Sequence, residues 1–370
     1  MAGERSPGKQ SLFFVVEEIG PAREQGLAMT KRLSATRVFA ISLLALLLPG
    51  FQPVASLASP PPVTWEEIRH LPRDCPIVYD NDWLKDTNDD EYLFAKASLG
   101  EAKLRGVVLT KDEWDRGRQY KVEDGLKDFR SNLEIVRRSG WKHIPDVTIG
   151  ADRLLHRPAS SRILDTMPVA SAGTELIVAE ARRATPRRPL VVIVGGPLIT
   201  VASAYLPDPS IGDRMVVFMT DLTGYNGSDS WANFIVATRC KLVNFGASPL
   251  WWPQRPLPSV MPPDHFDRLP DRRVTREMKR VATMFWERST RAKKPDRDDG
   301  LGDGAGTFLL FRPESWREVK RIQVTGAWSA KQVPGGAAYH YLDAARVDFD
   351  LMRDDFFATL HRALEGVPAQ

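Results

Sequence analysis

Cysteine is scarce: Cys75 and Cys240 are the only two in 370 residues. That rules out a disulfide framework and a cysteine-built zinc site. An oxidising compartment would permit one bond between them, but no spacing brings them together, and two separate buried thiols are expected. Charge of one sign is also in short supply. Lys and Arg total 51 against 47 Asp and Glu, a net of +4. Residues 1–58 hold six Lys/Arg and four Asp/Glu, so half of that excess lies in the first segment. With no dense basic stripe, no nucleic-acid partner is expected. Internal repeats are missing as well. So is any apolar run of the roughly 20 residues that a membrane-spanning helix needs.

What the first segment does contain is ordered like a secretory leader. Lys31, Arg32 and Arg37 follow Met29, an apolar run covers Val38–Leu48, and the small residues Ser56 and Ala58 precede Ser59. This pattern predicts a signal peptide cleaved near Ala58 and an exported protein, periplasmic or secreted; an uncleaved anchor is the alternative. Residues 1–28 read as an upstream extension, with Met29 as the expected start. Residues 1–58 are thus extension and signal peptide, and the Pro-rich 59–73 is expected to be a linker. No stable membrane span is expected after cleavage.

From Cys75 onward, short apolar runs alternate with helical ones. CPIVYD, LRGVVLT, IPDVTIG, PLVVIVGG, DRMVVFMT and KLVNFG read as strands. Between them lie helix-forming stretches, such as the one placing Leu126, Phe129, Leu133 and Val136 at i, i+3, i+7 and i+10. Fully apolar strands alternating with helices predict an α/β fold, with a mostly parallel central sheet covered by helices on both faces in Rossmann-like fashion. The 43% hydrophobic content suffices for one large core or two ordinary ones. One catalytic domain is expected over 74–368, closed by a strand and a terminal helix. Between about 248 and 302 the rhythm fails, and a Pro- and Trp-rich flap is expected, carrying Trp251, Trp252 and a helix from Val274.

The chemistry concentrates at the end of the first strand. IVYDNDWLKDTNDDE places Asp80, Asp82, Asp86, Asp89, Asp90 and Glu91 within twelve residues. Carboxylates this close repel one another unless a cation, ligand hydroxyls or water offsets them. In α/β sheets ligands gather at the carboxyl ends of strands, and oxygen donors without paired His or Cys favour Ca²⁺ or Mg²⁺ over zinc. The spacing is not that of an EF-hand. An exposed acidic loop, with Asp89 and Asp90 favouring the first turn of the next helix, is the alternative. A third reading takes DND as the start of a haloacid dehalogenase-type phosphatase, with Asp80 as nucleophile and Asp82 as acid/base. Trp83 and Leu84 stand where that family has Gly-Thr.

Four segments in order resemble the inosine–uridine-preferring nucleoside hydrolase family. DNDWLKDTNDD looks like a lengthened form of its aspartate-rich strand end. SAGTELIVAEARRATPRRPLVVIVGGPLITVASAYL is similar to its helix, strand and GPLTNIA turn. YNGSDSWANFIVATR resembles the stretch in which an Asn precedes DPEAA. GDGAGTFLLFRPESW resembles its last acidic segment, with Asp303 ten residues before Pro313. The resemblance runs from about Cys75 to Leu364. It implies hydrolysis of the N-glycosidic bond of a nucleoside, with Ca²⁺ (Mg²⁺ as the alternative) held by Asp82, Asp90, the carbonyl of Ile199 and Asp303. Asp82 would also activate water, Asp89 and Asn226 would bind ribose, and Asp80 would support the site from behind. Gly302 stands where members carry a histidine that helps to protonate the leaving base. Of the six histidines, His265 is the one to watch. A non-catalytic exported nucleoside- or sugar-binding protein is the rival function, and a homo-oligomer is an expected assembly.

Overall fold

A computed structural model describes residues 63–82, 89–111, 122–220, 230–245, 263–291, 305–326, 329–332 and 341–365. The elements are α1 (Trp65–Arg69), β1 (Pro76–Asn81), α2 (Asp89–Ser98), β2 (Lys103–Leu109), α3 (Val122–Arg138), β3 (Val147–Ile149), α4 (Ala172–Arg183), β4 (Leu190–Val194), α5 (Ile199–Tyr205), β5 (Met215–Thr220), α6 (Ser230–Arg239) and β6 (Lys241–Phe245). They continue with α7 (Arg273–Arg291), α8 (Ala305–Phe311), β7 (Trp316–Gly326), β8 (Ser329–Gln332), β9 (Tyr341–Val347) and α9 (Phe349–Glu365).

The described strands form one sheet in the order β3-β2-β1-β4-β5-β6-β9-β7-β8. Pairing is parallel from β3 through to β9, and β7 joins antiparallel to both β9 and β8. The expected mostly parallel sheet is present. The antiparallel β7–β8 extension is not marked by any apolar run, because a strand near a sheet edge need not be apolar on both sides.

Side-chain alternation splits the interior into two cores. Ile77 and Tyr79 of β1, with Val191 and Ile193 of β4, pack with Leu93, Phe129, Leu133, Met278, Phe308 and Phe356. Val78 of β1 and Val192 of β4 pack with Ile177, Val201, Trp231 and Ile235 on the other face. Helices α2, α3, α7, α8 and α9 thus supply one layer, and α4, α5 and α6 the other. All five residues of β4 are buried. Each such aliphatic side chain contributes about 1.5–3 kcal/mol of transfer free energy.

Two expected segments are more folded than the sequence implied. Residues 59–73, expected as a linker, are structured from Val63 onward. Thr64 caps α1 by accepting the Glu67 N–H at 3.1 Å, and Ile68 is buried. Trp65 also stacks on Trp316 with ring centroids 4.4 Å apart. In the expected flap, Phe266 and Leu269 by the 3₁₀ turn Pro263–Arg268, and Val274 and Met278 of α7, belong to the first core. The Pro/Trp-rich part, with Trp251 and Trp252, lies outside the described residues. Cys75 and Cys240 are free and buried, and burial pushes their thiols up to about 11 and about 12.

Candidate active site

The strand order reverses between β1 and β4: β2 and β3 follow on one side of this pair, β5 and β6 on the other. A crevice opens at such a switch point, at the carboxyl ends of the strands. The acidic segment leaves β1 there, and the GGPLIT turn leaves β4 beside it. The Gly195 N–H donates to the Asp80 carbonyl at 2.9 Å, tying the two strand ends together.

Asp80 is fully buried. Its Oδ1 accepts the Thr110 hydroxyl at 2.5 Å. Thr110 Oγ1 lies 2.6 Å from Thr200 Oγ1, which accepts the Ala151 N–H at 2.9 Å. Because Thr110 spends its only proton on the carboxylate, Thr200 donates to Thr110, and the chain of donors runs one way, from Ala151 to Asp80. No room is left around these hydroxyls. A Cβ on Gly150 would stand 2.6 Å from Thr200 Oγ1 and 2.7 Å from Thr110 Oγ1. The other oxygen, Oδ2, is buried with no hydrogen-bond partner among the described residues. Burial raises the Asp80 pKa to about 8, against the lowering effect of the Thr110 hydroxyl. An ionised Asp80 therefore calls for a nearby positive charge. A carboxyl this deep, with one oxygen committed to Thr110, is also poorly placed to attack a phosphate, which weighs against the phosphatase reading.

Asp82 follows β1 and is 4% exposed. Gly196 closes on it so tightly that an added Cβ would lie 2.8 Å from both its backbone nitrogen and its Cβ. Asp90, also fully buried, sits in the first turn of α2 and accepts the Tyr79 hydroxyl on Oδ1 at 2.6 Å. Asn81 donates its Nδ2 to the same phenol oxygen at 2.7 Å and accepts the Asp82 N–H on Oδ1 at 2.8 Å. Neighbouring Glu91 is buried and accepts from Asn132 Nδ2 at 3.4 Å. Burial of Asp82, Asp90 and Glu91 departs from the exposed acidic loop that was the alternative. Asp89 is the first residue of α2, and Ile199, fully buried, is the first of α5.

Asn226, Asp303 and Gly302 lie outside the described residues, as does Asp86. The helix that follows Asp303 is described. Phe308 of α8 stacks on Tyr92 of α2, with centroids 3.9 Å apart and planes 11° from parallel. A Cβ on Gly306 would stand 3.0 Å from Phe218 Cβ of β5 and 3.4 Å from Ile193 Cγ2 of β4. The start of α8 is therefore seated against β4, which flanks the crevice, and its neighbour β5.

The donors at the crevice are oxygens, and the orphaned Asp80 Oδ2 marks a place where positive charge is wanted; both suit a hard cation. Among the described residues, no three His, Cys, Asp or Glu side chains converge closely enough to hold an ion.

His265 stands apart from these carboxylates. Its ring meets Phe357 edge-on at 5.5 Å and lines a surface cavity of about 360 Å³ with Arg268, Arg353, Asp354 and His361. Burial, then the Arg268 charge, lowers its pKa. Thr110, Thr200, Tyr79, Asn81 and Gly196 went unnoticed in the sequence. The available signals were the two-residue period of β1, which puts Tyr79 and Asn81 on one face, and the Thr closing LRGVVLT.

No helix among the described residues is long and apolar enough to cross a membrane. No family model matches the chain, nor does any curated protein sequence. Solved structures do match it. A purine-preferring ribonucleoside hydrolase from Gardnerella vaginalis shares 15% identity over 79% of this chain and 100% of its own, with a TM-score of 0.55. A plant nucleoside hydrolase, PpNRh1, shares 14% over 79% of this chain and 99% of its own, with a TM-score of 0.53. The effector protein XOO4466 shares 13% over 81% and 97%, with a TM-score of 0.50. At such identities the likeness is one of architecture, and the chain has an α/β fold like that of the nucleoside hydrolases.

Proposed function

We propose that this protein hydrolyses the N-glycosidic bond of a ribonucleoside, with inosine- or uridine-type substrates as the class to assay first. The observation that carries this reading is the burial of Asp80, Asp82 and Asp90 at the switch point of a nucleoside hydrolase-like sheet, with Gly196 pressed onto Asp82. Cleavage of this bond develops positive charge on the sugar, and buried carboxylates stabilise it. In this reading Asp82 takes a proton from the attacking water. Asp89 and Asn226 grip the ribose hydroxyls and orient the ring, while Asp80, held by Thr110, supports the site from behind. Asp82, Asp90, the Ile199 carbonyl and Asp303 would hold a Ca²⁺ or Mg²⁺ ion. Such an ion supplies, when bound, the acidification of a coordinated water and a positive charge near the ribose hydroxyls. Export through the leader of residues 1–58 and self-association of the chain belong to the same proposal.

A fold hosts many activities, and an effector protein shares this one. The residue before Asp303 is Gly302 rather than a histidine, which favours, as second reading, a nucleoside- or sugar-binding protein without turnover. The two separate in one experiment. Purified protein with Ca²⁺ is given p-nitrophenyl riboside, whose leaving group needs no acid, and separately inosine and uridine. Turnover of the nitrophenyl riboside supports the hydrolase, and turnover of that substrate alone points to a changed base pocket. Binding without any turnover supports the second reading, and neither binding nor turnover defeats both.

A further inference from the structure

We propose that Tyr79 and Asn81 are positioning residues whose buried hydrogen bonds lock Asp82 and Asp90 to one another across residues 83–88. The inference rests on the roles given above to those two aspartates. The connection is continuous: Asp82 N–H to Asn81 Oδ1 at 2.8 Å, Asn81 Nδ2 to Tyr79 OH at 2.7 Å, and Tyr79 OH to Asp90 Oδ1 at 2.6 Å.

Its direction is set by chemistry. The Asp82 amide can only donate, and an ionised Asp90 can only accept, so the phenol proton goes to the carboxylate. The phenol oxygen is then left as acceptor for Asn81. Flipping the Asn81 amide would set donor against donor at Asp82 and acceptor against acceptor at Tyr79, so one orientation is specified. With Asp90 ionised, the last link is a charge-assisted bond, a class of bond that is short. Tyr79 and Asn81 sit two residues apart on β1: Tyr79 is paired with Val107 of β2 and Ile193 of β4, and Asn81 with Leu109 of β2. A phenylalanine at 79 would fill the same space. The hydroxyl adds the bonds to Asp90 and from Asn81, which separates a positioning role from packing.

The test uses the purified full-length chain and Tyr79→Phe. In metal-free protein, hydrogen exchange at the Asp82 amide is expected to quicken at least about tenfold, because Asn81 loses its anchor. Ca²⁺ affinity, read by titration calorimetry, is expected to fall about 10- to 100-fold, the usual effect of losing a ligand's supporting hydrogen bond. Asn81→Ala should reproduce both changes, and the double variant should be no worse than the weaker single one, since either cut opens the same chain. Unchanged exchange at Asp82 in Tyr79→Phe overturns the inference. So does a Ca²⁺ affinity within twofold of a metal-binding wild type. A wild type that takes up no Ca²⁺ defeats the metal reading of the site instead, and amide exchange then decides the relay alone.

Discussion

Gly196→Ala adds one methyl group at the contact on which the crevice depends. That methyl would sit 2.8 Å from the Asp82 nitrogen, 2.8 Å from its Cβ and 3.2 Å from its carboxyl carbon. Ordinary contact begins at 3.4 Å, so the turn and the strand end must separate by at least about 0.6 Å. Neither side yields freely. The Asp82 N–H is committed to Asn81, and the Gly195 N–H is committed to the Asp80 carbonyl. Overpacking of this kind costs about 1–3 kcal/mol, a fall in Tm of roughly 1–4 °C for a chain of this size. Catalysis should suffer more than stability. Misplacing reacting groups by about 1 Å costs on the order of a hundredfold, so a loss of about ten- to a hundredfold in kcat/KM is expected. Thermal melts by circular dichroism and riboside hydrolysis, run on the same preparations, give both numbers. A variant with wild-type Tm and wild-type kcat/KM would refute the close packing of the turn on Asp82.

Other substitutions probe the remaining parts. Asp90→Ala and Asp303→Ala should each abolish Ca²⁺ uptake and hydrolysis with little change in far-ultraviolet dichroism; full activity in Asp303→Ala would remove that residue from the site. Tyr92→Leu deletes the ring stacked on Phe308 and the hydroxyl donated to Asp355, and should cost about 2–4 kcal/mol in urea denaturation. A loss below about 0.5 kcal/mol would mean that this stack does not hold α2 to α8. Hydrogen bonds from Arg362, then Lys96, hold the Glu101 carboxyl below its usual 4.5. Its folded pKa is depressed, so its contribution is present above that value and is lost as pH falls through the lower folded one. Glu101→Gln should therefore flatten the acid limb of the stability profile, and an unchanged limb would contradict the pairing. His265→Ala should leave hydrolysis within a few-fold of wild type, and a hundredfold drop would make it the missing acid.

Much of the architecture was legible in the chain. The apolar runs at Ile77, Val107, Leu190, Val216 and Leu242 became parallel strands, because a strand buried on both faces needs apolar side chains throughout. The helix carrying Phe129, Leu133 and Val136 formed where its period placed it. β7 and β8 were not legible, since Trp316–Gly326 mixes charged and apolar residues without a buried run. The folding of Val63–Arg69 was hidden too, because only contact with Trp316 and the first core gives that short stretch a reason to order.

The acidic strand end was visible as a problem of charge, and charge density is a local property that any reading of the sequence detects. How that problem is met is not local. Thr110 reaches Asp80 from 30 residues away, Thr200 backs Thr110 from a further 90, and Gly196 is brought onto Asp82 by the pairing of β4 with β1. By itself, the sequence determined the central parallel strands, the helices between them and that one end of the sheet would be acidic, because hydrophobic period and ionic charge act over a few residues. Only the tertiary structure decided which donor each carboxylate meets and which oxygen is left without one, because hydrogen bonds are made between atoms that the sheet order, not the chain order, sets side by side.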